Sequence, residues 1–100
     1  FSGVFATVGA LRTRGAEVTV DDPMYTDEEL TALGFTPHSS GSEVDAAILQ
    51  TDHAEYRALT PADLPGVRTF VDGRNVTDAD AWAGVTRRVI GLPQDAEAAR

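Results

Sequence analysis

The chain has 100 residues, 42% of them hydrophobic, which suits one globular domain with a modest core and argues against wholesale disorder. Its 16 acidic residues outweigh 8 basic ones, all of them arginine, and a net charge of −8 is a poor match to nucleic acid or an anionic membrane. Cysteine is absent, which excludes disulfides, thiolate zinc sites and thiol nucleophiles, and no apolar run approaches the roughly 18 residues of a membrane span.

Phe1, Val4, Phe5, Val8 and Leu11 share one face at helical spacing, predicting an amphipathic helix over residues 1–14. Arg12 and Arg14 suit its carboxyl end and Gly15 can stop it. The opening FSGVF has no initiator methionine and no signal-peptide pattern, so the chain is expected to be a piece of a longer one. Ala16–Val20 alternates apolar and polar residues and predicts a strand, closed by Asp21-Asp22-Pro23. Thr26 and Glu29 have capping-box spacing for a helix running to Leu33 and Gly34.

Residues 35–43, FTPHSSGSE, form a polar connector, yet no boundary or internal repeat divides the chain. Asp45–Gln50 carries a continuous apolar run, Ala46 to Leu49, of the kind found in a strand covered on both faces. A short helix over Ala54–Leu59 follows, anchored by Tyr56 and Leu59, then a turn begun by Thr60-Pro61. Val67–Val71 predicts the next strand, Thr77 and Asp80 a second capping box before Trp82, and Arg87–Ile90 the last strand. Residues 93–100 lack an apolar face and are expected to fray, leaving 1–92 as the domain.

The order α-β-α-β-α-β-α-β predicts a three-layer α/β/α, Rossmann-like domain with a parallel sheet. Val4, Val8, Leu11, Val18, Val20, Ala47, Ile48, Leu49, Phe70 and Val71 are the expected core. In such sheets ligands sit beyond the carboxyl ends of the strands. Three polar clusters end strands here: Asp21-Asp22-Pro23, Thr51-Asp52-His53 and Asp72-Gly73-Arg74-Asn75. Gly73 can take a positive φ or admit a close neighbour. Arg74 offers a planar fork for phosphate or carboxylate. His53 can cap the following helix, meet a ligand or face solvent. Asp52, His53 and Asp72 have ligand chemistry, but their spacing matches no metal motif, and no nucleophile elbow, P-loop or G-x-G-x-x-G turn is present.

RGAEVTVDDP, DAAILQTDHAEYRAL and VRTFVDGRNV, in this order, resemble the C-terminal UDP-binding domain of the UDP-glucose/GDP-mannose dehydrogenase family. The resemblance covers roughly residues 1–91. It implies an NAD-dependent enzyme that oxidises the 6-hydroxyl of a nucleotide sugar through a thiohemiacetal on a cysteine. An N-terminal domain would bind NAD, a central helical domain would build a homodimer, and this domain would hold the UDP. By the same resemblance Arg74 contacts the UDP-sugar, with Gly73 and Asp72 beside it; if the strands are parallel, Asp52 and His53 line the same edge. The cysteine and NAD site lie in other domains, so this segment alone would be inactive and hold no cofactor or metal.

The family's domain opens with a strand and a G-x-x-[FY]-K/R loop that would precede Phe1. A central strand is therefore expected to be missing, with a slot between the strands at 16–20 and 45–50. FSGVF, DPMYTDEEL and DGRN look most like the members acting on UDP-N-acetylmannosamine, with UDP-glucose next. A cytoplasmic enzyme of polysaccharide biosynthesis follows from the resemblance. The reading from another class is a non-catalytic α/β interaction or regulatory domain with an incidental arginine.

Overall fold

The chain divides into two compact units, Phe1–Ser39 and Ser40–Arg100, and the division falls inside the polar connector at 35–43. A computed structural model describes residues 2–90 of them, so the fraying expected at 93–100 lies outside the described residues.

In the first unit, helix α1 runs Ser2–Thr13 as its periodicity predicts. Val8 is buried, while Val4 and Leu11 are half-buried. Gly15, at φ 90°, reverses the chain, and the Ala16 N–H returns to the Leu11 carbonyl at 3.1 Å. Helix α2, Asp27–Ala32, carries the full capping box: Glu29 N–H donates to Thr26 Oγ1 at 3.1 Å and Thr26 N–H to Glu29 Oε1 at 2.9 Å. Val8, Val20, Leu30 and Phe35 close the core of this unit, with Val18 packed against it. Arg12 donates to the Gly34 carbonyl at 3.2 Å, just beyond the end of α2, where a cation is favoured.

The strand expected at 16–20 is not formed. Val20 alone makes a bridge, parallel to Pro37, in which Val20 N–H donates to the Thr36 carbonyl at 2.8 Å and His38 N–H to the Val20 carbonyl at 2.9 Å. The bridge uses the Thr36 carbonyl and the His38 N–H on either side of Pro37, and it stays a single bridge. The alternation of AEVTV reflects Val18 and Val20 turning to a local core instead.

The second unit holds three strands: β1, Ala46–Leu49; β2, Thr69–Asp72; and β3, Thr86–Val89. They form an all-parallel open sheet in the order β1-β2-β3, with Ala47 beside Phe70 and Phe70 beside Arg87. This is an α/β arrangement of the Rossmann-like kind. The crossover from β1 to β2 contains α3, Ala54–Arg57, and a 3-10 turn at Pro61–Asp63, closed by hydrogen bonds between Thr60 and Asp63. The crossover from β2 to β3 contains a 3-10 turn at Ala79–Trp82.

Strand order without reversal brings crossovers of one hand back over the same face. Tyr56, Leu59, Leu64 and Trp82 accordingly pack with Leu49 and Phe70 in one cluster. Trp82 stacks on Phe70 at 3.9 Å between ring centroids, and its indole N–H donates to the Leu59 carbonyl at 3.2 Å. The opposite face, with Ala46, Ile48, Thr69, Thr86 and Arg88, is exposed, and Val71 is half-buried there. Ile48, expected in the core, is 41% exposed, because Ala47 and Leu49 take the covered face of β1 and Ile48 alternates away.

Candidate functional site

Two of the three polar clusters follow adjacent parallel strands and so share the carboxyl edge of the sheet: Thr51-Asp52-His53 after β1 and the Asp72–Asn75 run at the end of β2. The third cluster ends no strand of this sheet; in the first unit, Asp22 Oδ1 accepts the Met24 N–H at 2.8 Å, an Asx turn.

Gly73 is where the two strand ends meet. Its N–H donates to the Leu49 carbonyl at 2.8 Å, and a Cβ there would lie 2.7 Å from that oxygen. Of the two uses of glycine, close approach is the one realised, and the left-handed residue of the turn is Asn75, at φ 55°.

Asp72 is 0% exposed and faces its own loop. Oδ1 accepts the Arg74 N–H at 3.0 Å. Oδ2 accepts the Val76 N–H at 2.9 Å, the Thr77 N–H at 2.8 Å and the Thr77 hydroxyl at 2.6 Å. Burial alone would raise the Asp72 carboxyl. The Thr77 hydroxyl and the N–H groups of Thr77, Arg74 and Val76 together outweigh it and hold the carboxyl below its ordinary value.

Arg87, on the covered face of β3, completes this arrangement: its guanidinium lies 3.7 Å from Asp72 Oδ2, Nε donates to Thr77 Oγ1 at 3.3 Å and Nη2 to the Thr77 carbonyl at 3.1 Å. Thr77 therefore does not cap the following turn. Asp78 does, accepting the Asp80 N–H at 3.0 Å. Neither Thr77 nor Arg87 stands out as a site residue in the sequence, although alternation along Val85, Arg87 and Val89 places a cation on an apolar face.

Arg74 is exposed, and no described side chain pairs with its guanidinium. Asp52 is already engaged: Arg57 Nε donates to Oδ1 at 3.0 Å and Nη2 to Oδ2 at 2.7 Å. This bidentate pair, by hydrogen bonding first and charge second, raises the Arg57 guanidinium above its ordinary value. His53 occupies the N-cap position of α3 without a side-chain cap bond, and its ring stands edge-on to Tyr56 at 5.6 Å.

A recess of about 230 Å³ lined by Glu43, Val44, Asp45 and Gly66 lies at the opposite, amino edge of β1 and β2, and its two carboxylates make it unsuitable for an anion. Among the described residues no three His, Cys, Asp or Glu side chains come together to hold a metal ion. No described helix is long and apolar enough to cross a membrane. Among the described residues, what the carboxyl edge offers chemically is the uncommitted Arg74 guanidinium on a loop held at both ends.

No curated protein and no solved structure matches the chain. Residues 1–79 match the model of the UDP-glucose/GDP-mannose dehydrogenase family, UDP binding domain. With that match spanning both units and including Asp72, Gly73 and Arg74, the chain belongs to this family of NAD-dependent dehydrogenases, as a UDP-binding domain.

Proposed function

We propose that this domain holds the UDP portion of a nucleotide sugar at the carboxyl edge of β1 and β2, with Arg74 forming charge-assisted hydrogen bonds to it. The observation that carries the reading is the uncommitted Arg74 guanidinium on a backbone fixed by Asp72 and by the Gly73–Leu49 hydrogen bond. Gly73 lets the loop approach β1, Asp72 acts through the loop backbone, and Asp52 and His53 border the same edge.

In this reading residues 1–92 serve as the C-terminal domain of a cytoplasmic, homodimeric nucleotide-sugar 6-dehydrogenase of polysaccharide biosynthesis. NAD⁺ and the oxidation chemistry belong to the NAD-binding and central domains of the same chain, since this sequence contains neither a G-x-G-x-x-G turn nor a cysteine. UDP-N-acetylmannosamine is the favoured substrate and UDP-glucose the next, on the resemblance of FSGVF, DPMYTDEEL and DGRN.

The test is titration calorimetry of the full-length protein with UDP and the two UDP-sugars. Arg74→Ala should weaken UDP binding about ten- to a hundredfold, the loss of a charged hydrogen bond being roughly 1.5–3 kcal/mol. Arg74→Lys should recover part of it, because a point charge cannot reproduce a planar fork. NAD⁺ affinity should not change. Arg14→Ala, which removes an exposed charge after α1, should leave UDP binding unaltered. Equal losses from Arg14→Ala and Arg74→Ala would reduce the effect to overall charge and overturn the assignment.

A further inference from the structure

The loop from Gly73 to Thr77 has two anchored ends. At its start, Gly73 N–H is bonded to the Leu49 carbonyl and Arg74 N–H to Asp72 Oδ1. At its finish, the Val76 and Thr77 N–H groups and the Thr77 hydroxyl converge on Asp72 Oδ2. All of those donors are neutral, and together they already outweigh the burial of the carboxylate. A cation stands behind them: Arg87, itself buried, lies 3.7 Å from the same Oδ2. Arg87 also donates to both the hydroxyl and the carbonyl of Thr77, the final residue of the loop. One buried cation therefore stabilises the anion that organises the loop and grips the far end of the loop directly.

We infer that Arg87, acting with Thr77, is the positioning residue for Arg74: it sets nucleotide affinity from beneath the loop. This rests on the functional reading above and extends it to residues outside the DGRN run. A guanidinium fork binds a phosphate well only when its backbone origin is held within about 0.5 Å of the productive place, a task for the supporting shell. Arg74 itself has no described side-chain partner to steady it, so its placement comes from the backbone. Releasing Thr77 frees the carboxyl-terminal anchor while leaving the Gly73–Leu49 bond in place.

The experiment is a double-mutant cycle in the full-length protein, read by calorimetric titration with UDP and, separately, by thermal unfolding. Arg87→Met keeps the stem and removes the fork, and Thr77→Val removes only the hydroxyl. Each should weaken UDP binding about tenfold, the scale of one misplaced hydrogen bond. Thr77→Ser, which restores the hydroxyl, should return most of the affinity. Arg88→Met, an equal charge loss on the open face of the same strand, should not alter it. In an Arg74→Ala background the effect of Arg87→Met on UDP affinity should largely vanish, while its effect on the unfolding temperature should persist. A purely structural Arg87 would show no such coupling.

Folded Arg87→Met and Thr77→Val proteins that bind UDP as tightly as the unaltered one would overturn this inference alone, provided Arg74→Ala weakens binding. An undiminished effect of Arg87→Met in the Arg74→Ala background would overturn it as well. Unaltered UDP binding by Arg74→Ala would overturn the functional reading and this inference with it. Should Arg87→Met fail to fold, the Thr77→Val and Thr77→Ser pair decides: loss with recovery supports the inference, and no loss overturns it.

Discussion

At the scale of single residues, the strictest requirement in the candidate site falls on Gly73. The atom that a Cβ would meet at 2.7 Å is the Leu49 carbonyl oxygen, part of the backbone of the neighbouring strand and not the yielding end of a side chain. Gly73→Ala must therefore move either the loop or the end of β1 and lose the 2.8 Å hydrogen bond between them. Overpacking of this kind costs about 1–3 kcal/mol. Urea unfolding should show a lower midpoint with an unchanged slope, and UDP affinity should fall with it because Arg74 is the next residue. A Gly73→Ala protein with unaltered midpoint and affinity would show that the close approach is dispensable. Arg57 illustrates the opposite case: its pair with Asp52 is solvent-exposed and adds little to stability.

Among the elements, α1 is the one whose sequence works against its own conformation. Gly3 and Gly9 lie inside its Ser2–Thr13 span, and a Cβ at either would meet nothing within 4 Å. Glycine in a helix interior costs roughly 0.5–1 kcal/mol relative to alanine through backbone entropy. Gly9→Ala should therefore stabilise the protein by about that amount, seen as a higher unfolding midpoint, and UDP affinity should not change. The helix forms despite its glycines because Val8 seats against Val20, Leu30 and Phe35, with Val4 beside it. The short strands of the second unit depend on packing in the same way. Each has only four residues, and Leu49 and Phe70 are secured by the Trp82 stack and by the apolar side chains of the crossovers.

For the molecule as a whole, the buried Asp72 carboxylate ties stability to pH. Its folded-state value lies below its ordinary one, so ionisation favours the folded state. That contribution is complete above the unfolded value, about 3.9, and is lost as pH falls through the lower folded value. Asp72→Asn should cost about 1–3 kcal/mol near neutral pH, since an amide cannot accept all of these donors. The stability gap between Asp72→Asn and the unaltered protein should stay flat from neutral pH down to about pH 4 and narrow below it. Denaturant midpoints measured across that range check the sign. A gap that widened with acid would mean that the carboxyl is raised and not lowered.

The features legible in the sequence are those set by interactions only a few residues long. Apolar spacing defines α1, the Thr26–Glu29 pair starts α2, and β-branched or apolar runs mark the three strands of the sheet within two residues at each end. The order of three short motifs pointed to the family, because motif chemistry is preserved along the chain whatever its packing. Tertiary structure decided what depends on partners far away in sequence. Val18 and Val20 alternate as a strand would, but only Val20 pairs, in a single bridge, and both turn to a local core with Val8, Leu30 and Phe35. Ile48 looks like core, but strand order without reversal brings both crossovers over the other face. Asp72 reads as a ligand-facing carboxylate until parallel pairing brings Arg87, fifteen residues later, beneath it. A pattern along the chain records which groups alternate; burial and charge pairing depend on which strands become neighbours, and that is set by the free energy of the folded whole.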